Sequence, residues 1–390
     1  MTSMQLTSRE RIHAAARGLP LDRVPVFIWI NAHAGAKLMA RFRPSRHPLW
    51  NALARLAWSR FDRPDAAEFW RLLPLAFDVH TFNFANAYGL ELGSDMLFAS
   101  YATPWGYTKI YREGGHFLMR DLYGVTRALG QGIYPDMIAP AITDVKGLKD
   151  YRFPDPADPR LYNVFRRCRA AWPGASIAAE VWGSQDFVST SLIGMERFMM
   201  WLVDYPDEIK AFMRRWTDHH IEVLRHSVQA GADVVFIEDD YGYDNRPLIS
   251  IPMWKEFTYP ELRRLIDAAH EAGALATLHS CGYQMPFLEH YAAAGLDMLQ
   301  SFQPQAGNDF KSAYEQFGGR ITFITGIDIQ RGETMSAQDL KQEIIANYRL
   351  AGKKGHHVLA FTHEIQHTMP DANVRAIFDT VAQIQAGEYD

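Results

Sequence analysis

Short apolar runs recur through the second half of the chain as SIAAEVWG, ADVVFIEDD, ALATLHSCG, MLQSFQP, ITFITGID and HHVLAFTHE, with helix-like stretches between most of them. The stretches Pro206 to Gly231, Met253 to Gly273 and Ser336 to Gly352 carry helical spacing. Strand and helix in alternation call for a parallel sheet, and nearly continuous apolar strands call for burial on both faces. A closed barrel and an open doubly wound sheet both meet that demand. The choice turns on where the chemically able side chains fall. Glu180, Asp239, Asp240, His279, Cys281, Gln303, Asp328 and His363 each follow the apolar part of a run. In a barrel the C-terminal ends of different strands converge on one face, whereas an open sheet leaves the outermost residues apart. No GxGxxG follows a strand and no Walker A motif is present, which weakens a nucleotide-binding sheet further. The expected fold is α/β, a (β/α)8 TIM barrel, as a single domain over residues 1–390.

The first part of the chain is an elaboration of that plan. Thr7 or Ser8 can cap an opening helix that Gly18 ends, before Pro20 and a strand-like run from Val24 to Ile30. Residues 32–144 form the elaborated segment. Helical spacing dominates from Ala32 to Asn86, and alternation around Gly114-Gly115 predicts a β-hairpin. The Asp and Pro residues from Lys146 to Tyr162 predict a loop.

Composition narrows the function classes. A net charge of -5, from 40 basic and 45 acidic residues, with no long basic run, argues against a nucleic-acid partner. Two cysteines, Cys168 and Cys281, do not make a disulfide framework, so a reducing, cytoplasmic setting is expected. The N-terminal residues lack an apolar signal core, and no run of about 18 uncharged apolar residues follows. Neither a signal peptide nor a membrane span is expected. Aromatic residues, concentrated between Trp50 and Tyr111, fill core positions for the most part, with a minority available to cover a flat ligand.

His279-Ser280-Cys281 is the most informative motif. Residues two apart on an extended chain point to one side, so the imidazole and the thiolate can reach one ion. Nitrogen with soft sulfur suits Zn2+. A third ligand is available at His363 or His367, while Gln303 offers an oxygen ligand or a supporting hydrogen bond. Three protein ligands with one open position is the arrangement of a catalytic zinc. Without metal, His363 is a candidate acid or base, and Cys281 a small buried hydrophobe. Asp239 and Asp240 point to opposite faces, so one carboxylate enters the site, while the other and Glu238 brace a loop or cap a helix. Glu180 and Asp328 face the same choice between substrate contact and a salt bridge across the barrel mouth.

The run from Asp239 to Gln330, the closing HHVLAFTHEIQHTMPDANVRAIFD and the opening TSRERIHAAARGLPLDRVPV together resemble the uroporphyrinogen decarboxylase superfamily. The resemblance covers about residues 7–30 and 175–385, and the segment from Ala32 to Asp144 matches poorly. It implies a (β/α)8 barrel, a homodimer, and one of two chemistries. Metal-free decarboxylation of a porphyrinogen goes with an R-Q-A-G-R type motif after the first strand; here Ile28 to Gly35 contains no arginine, and the next is Arg41. Zinc-dependent methyl transfer to or from a corrinoid protein or thiol goes with an H-x-C pair and a Cys near the final strand. His279 and Cys281 match the pair, and His363 stands where the final Cys is expected.

The resulting expectation is a methyltransferase acting on a small substrate, an aromatic methyl ether among the candidates. Zn2+ on His279, Cys281 and His363 would be its metal, with cobalamin carried by a partner protein. Asp240, Glu180 and His367 are then the catalytic candidates, and Asp239, Tyr241, Trp182, Gln303 and Asp328 the substrate-binding ones. The alternatives are a metal-free lyase acting on a carboxylated substrate and a non-catalytic barrel that binds a ligand.

Overall fold

The computed structural model describes residues 5–59, 82–101, 109–128 and 136–389. Its centre is an eight-stranded parallel sheet built from β1 (Val26–Phe27), β2 (Met96–Ala99), β7 (Ser176–Trp182), β8 (Val234–Glu238), β9 (Leu275–His279), β10 (Met298–Gln300), β11 (Thr322–Ile327) and β12 (His357–Phe361), in the order β1-β12-β11-β10-β9-β8-β7-β2. The first and last strands of that order meet. The Asp95 N–H, at the foot of β2, donates to Val26 O of β1 at 2.7 Å, and Asp95 Oδ2 accepts the Val26 N–H at 2.9 Å. The sheet is therefore a nearly closed (β/α)8 barrel. Every expected apolar run of the second half forms one of its strands.

Side chains alternate as a doubly covered strand requires. Phe27, Trp29, Met96, Phe98, Ala178, Val234, Phe236, Leu275, Met298, Ile324, Val358 and Ala360 form one buried cluster inside the barrel. Ile177, Ala179, Val181, Val235, Ile237, Ala276, Leu278 and Leu299, one position out of phase, belong instead to the layer under the helices. The interior is a packed core rather than a pore, and it ends upward in rings, with Trp29 and Phe98 centred 4.9 Å apart and Phe98 and Phe236 5.1 Å apart.

The opening helix Ser8–Ala16 starts at Thr7, whose side chain and Glu10 form a reciprocal capping box, and positive-φ Gly18 follows its end. Between β2 and β7 lies the sheet part of the elaboration. Gly114 and Gly115, at φ 57° and 82°, make the tight turn joining β3 (Lys109–Glu113) to β4 (His116–Arg120). The expected hairpin is half of a larger unit, for β5 (Thr126–Ala128) and β6 (Asp136–Ala139) extend it to a four-stranded antiparallel sheet. Helical pieces at Ala32–Lys37, Pro48–Trp58 and Phe82–Glu91, all between β1 and β2, agree with the helical spacing read from Ala32 to Asn86.

Two expectations need correction. The stretch read as a loop opens with a helix, Val145–Asp150, because the Asp144 side chain accepts the Gly147 N–H and Leu148 is buried; one apolar anchor among charged residues gives no visible period. The helix expected from Met253 to Gly273 is two, Ile251–Phe257 and Tyr259–Glu271. Pro260, in the first turn of the second, has no N–H with which to continue the first. Among the described residues no helix is long and apolar enough to cross a membrane.

Candidate metal centre and substrate cavity

Parallel pairing puts inward side chains of neighbouring strands at one height. Trp182 pairs with Glu238 in register, Glu238 with His279, and His279 with Gln300, so one layer at the C-terminal mouth carries all four. The His279 Nδ1–H is held by Gln300 Oε1. The Gln300 amide is fixed in turn, its Nε2 donating to the carbonyls of Phe361 at 3.2 Å and Thr362 at 3.3 Å. That leaves His279 Nε2 facing Cys281 Sγ at 3.5 Å. One ligand atom each from His279, Cys281 and His363 lies within 4.8 Å of the others.

Several features suit a metal there. Two imidazoles and a thiol match the ligand preference of zinc, and the Gln300 bond selects the His279 tautomer that a ligand needs. Glu238 Oε1 is shielded from solvent with no hydrogen-bond partner, while Glu238 Oε2 and Asp240 Oδ1 lie 3.9 and 3.8 Å from His279 Nε2. His363 fits with one adjustment. Its Nδ1 accepts the Glu364 N–H at 2.8 Å, which puts the proton on Nε2, so ligation through Nε2 requires that contact to be given up.

Burial dominates the electrostatics. It lowers His279 to about 4, and it lowers His363, together with the neighbouring His279, to about 3, so both imidazoles are neutral as ligands must be. Burial and then Asp240 push the Cys281 thiol well up; a bound cation would reverse that. Glu238 is driven well above the usual carboxylate range by burial and by Glu180, and burial raises Asp240 as well.

A cavity of about 480 Å³ opens over this layer. Glu180, Trp182, Asp240, His279 and His363, all expected at the site, line it. Asp240 also fixes the turn carrying the thiol, since its Oδ1 accepts the Cys281 N–H at 2.7 Å. Other expected residues stand elsewhere. Asp239 points away from the barrel interior and accepts the N–H groups of Gln185 and Asp186 and the hydroxyl of Tyr241; burial raises it to about 7. Asp239 and Tyr241 thus brace the wall behind the cavity. Gln303 accepts the Gly282 N–H at 2.9 Å and holds the loop after β9. Asp328 caps the helix Ile329–Thr334 and borders a separate cavity. His367 packs beside His33, ring centroids 5.7 Å apart, away from the residues lining the main cavity.

Sequence reasoning missed several neighbours. Glu238, expected to brace a loop, lines the cavity, and so do Asp186, Trp29, Tyr101, Tyr123 and Arg127. Glu238 was recoverable, because the period-two rule that joins His279 to Cys281 also joins Glu238 to Asp240. Gln300 was recoverable from the register of MLQ against LATLH. Asp186, in the turn after β7, and the residues from Met119 to Arg127 carry no such signal, the latter because their placement depends on the inserted sheet. Of the aromatic-rich segment, Phe98 and Tyr101 line the cavity, while residues 60–81 and 102–108 lie outside the described residues.

A family model described as uroporphyrinogen decarboxylase (URO-D) matches residues 117–384. The chain belongs to the uroporphyrinogen decarboxylase family. The match begins inside the segment 32–144, which had looked unlike the family, and so takes in most of the inserted sheet. A methyltransferase from Methanosarcina mazei has a similar structure over 99% of this chain and 100% of that one, at 20% identity and a TM-score of 0.66, which places the whole chain in one fold with it. A 3-keto-D-glucoside 4-epimerase from E. coli covers 62% of this chain and 85% of its own at 10% identity, but its TM-score of 0.35 is too low to carry an argument. No curated protein matches. Within the family a decarboxylase needs cationic groups for its carboxylates, and this member's cavity is lined by Glu180, Asp186, Glu238 and Asp240 with Arg127 as the one lining cation among the described residues.

Proposed function

We propose that this chain is a zinc-dependent methyltransferase that moves a methyl group between a small substrate and a corrinoid protein or thiol. The observation that carries the reading is the convergence of His279, Cys281 and His363 to within 4.8 Å at the barrel mouth, beside a cavity of substrate size. The full-length likeness to the Methanosarcina mazei methyltransferase agrees with it. Zinc on these residues would supply a Lewis acid that binds a substrate oxygen or sulfur and lowers its proton affinity, while a corrinoid on a partner protein would give or take the methyl group.

The chain's own residues set the conditions for that chemistry. Gln300 fixes the His279 tautomer, and Asp240 fixes the Cys281 backbone. A donor set of one thiolate and two neutral imidazoles leaves a divalent ion with net positive charge, which favours ionising a bound hydroxyl or thiol. Asp240 and Glu180 orient the substrate, and Glu238 is placed to take or return a proton at its heteroatom. Rings of the barrel interior and of the inserted sheet exclude water from the cavity floor and wall. An acid-lined cavity is a poor host for a polycarboxylate, so nothing here favours the metal-free lyase.

Metal content by plasma mass spectrometry, on protein purified without added metal or a histidine tag, tests the reading. About one zinc per chain is expected, lost in Cys281→Ser and in His363→Ala. Loss in Cys281→Ser alone would move the third ligand away from His363. No metal in the wild type, and none taken up on reconstitution, would overturn the proposal.

A further inference from the structure

Among the described non-glycine residues only Ser301 and His356 hold a positive φ, at 78° and 54°. His356 precedes β12, at the foot of the barrel, whereas Ser301 follows β10, at the mouth that carries the candidate metal ligands. Strict alternation would turn the Ser301 side chain to the opposite face from that of Gln300. The left-handed turn breaks the alternation. It brings Ser301 Oγ to 3.2 Å from Cys281 Sγ, and the residue has no exposed surface. Cys281 Sγ is the one hydrogen-bond partner of that hydroxyl among the described residues. A serine in this region is strained where a glycine would not be, and strain of this kind at a functional site points to a use for the side chain.

A sulfur that holds a metal is a thiolate with no proton to give, so the Ser301 hydroxyl is the donor in this contact. Its hydrogen bond draws electron density from the sulfur. That bears on a hazard particular to methyl transfer, because a thiolate is the strongest nucleophile among the side chains of such a site. Attack by its lone pair on the methyl carbon would form an S–CH3 bond while the bond from the methyl group to its carrier breaks and leaves its electron pair with the carrier. The product is a neutral thioether, a poor ligand for the metal, and the chain would be inactivated.

We propose that Ser301 is a positioning residue that donates to the Cys281 thiolate, lowers its nucleophilicity and so keeps the transferred methyl group off the protein. This inference rests on the zinc methyltransferase reading and deepens it.

The test compares wild type, Ser301→Ala and Ser301→Gly. Alanine keeps the left-handed strain and glycine relieves it, while both remove the hydroxyl. Each protein is loaded with zinc and treated with iodomethane, and methylation of Cys281 is followed by peptide mass, with the buried Cys168 as internal reference. Methylation of Cys281 is expected to be roughly threefold or more faster in both variants. Loading the same proteins with cobalt(II) gives a signature that a backbone role would not move. The thiolate-to-cobalt charge-transfer band is expected at longer wavelength in both variants, because loss of the hydrogen bond raises the energy of the sulfur electrons. An unchanged methylation rate would overturn the proposal, with or without a shifted band. So would a change in one folded variant and not the other, which backbone conformation would explain, or a rise matched at Cys168, which a loosened fold would explain. A wild type that binds both metals while neither substitution has an effect loses only the role of Ser301. A wild type that binds neither metal loses the metal centre, and the role of Ser301 with it.

Discussion

Gln300 and Gln303 stand close in sequence, yet only Gln300 touches the imidazole of the candidate metal centre. It lies on β10 in register with His279, and its amide is pinned by the carbonyls of Phe361 and Thr362 at and just after the end of β12, so its oxygen has one direction to face. A partner of this kind typically carries a factor of about 10–100 in metal affinity. Gln300→Leu should therefore weaken zinc binding by that factor in a chelator-competition titration while His279 and Cys281 stay in place; unchanged affinity would reduce Gln300 to a packing residue. Beside it, Ser301 holds φ 78° with its hydroxyl 3.2 Å from Cys281 Sγ. A left-handed non-glycine residue at a functional site is a local cost that the surrounding structure imposes. No sequence rule marks that position, because the strain exists only once β9 and β10 are side by side.

At the level of elements, the two ends of the barrel do different work. Asp95, Asp233 and Asp297 each stand just before a strand and accept a backbone N–H from the start of a neighbouring strand, that of Val26, Ile177 and Ala276 respectively. These aspartates join the strands at the N-terminal mouth, where barrels keep residues for stability. Asp95 is fully buried and also receives Arg11 at 2.6 Å and Arg23 at 2.7 Å. Asp95→Ala removes the buried carboxylate shared by Arg11, Arg23 and the Val26 N–H at the β1–β2 closure, leaving Arg11 to Asp22 alone, and should cost about 3 kcal/mol in urea unfolding. At the opposite mouth, the turns after β8 and β9 approach backbone to backbone. A Cβ on Gly282, at φ 77°, would lie 2.4 Å from the Gly242 carbonyl carbon. Gly282→Ala should consequently disturb the adjoining Asp240 to Cys281 bond and lower the zinc content per chain; full zinc occupancy in a folded variant would show that the turn has slack.

For the molecule as a whole, burial of histidine ties stability to pH. His357 lies fully buried on β12, its Nε2 hydrogen-bonded to Thr325 O at 3.1 Å, and burial lowers it from 6.5 to about 4. Between those values the unfolded chain binds the proton and the folded chain does not, so stability falls as pH falls. The His357 contribution is complete above pH 6.5 and is lost as pH drops toward 4. From pH 7 to pH 5 it amounts to about 2 kcal/mol, and His357→Gln should flatten the pH dependence of urea unfolding over that range by about as much. Its distance from the cavity makes it a stability probe that leaves the metal ligands alone.

The sequence by itself determined the barrel and half of its mouth. Strand period, strand and helix alternation, and the placement of Glu180, Asp240, His279, Cys281 and His363 after apolar runs are local facts, and in a closed parallel barrel they suffice to bring those residues to one end. Tertiary structure decided the rest. Asp239 and Tyr241 brace the wall, Asp328 caps the helix that follows it and His367 packs beside His33, roles that a position after an apolar run does not distinguish from a place in the cavity. Tyr123 and Arg127 joined the cavity from the inserted sheet, and Asp186 from the helical turn just after β7, where its N–H is held by Asp239. Alternation along a strand fixes which way a side chain points; what it meets there depends on register and on chain arriving from elsewhere, and that is settled only when the sheet closes.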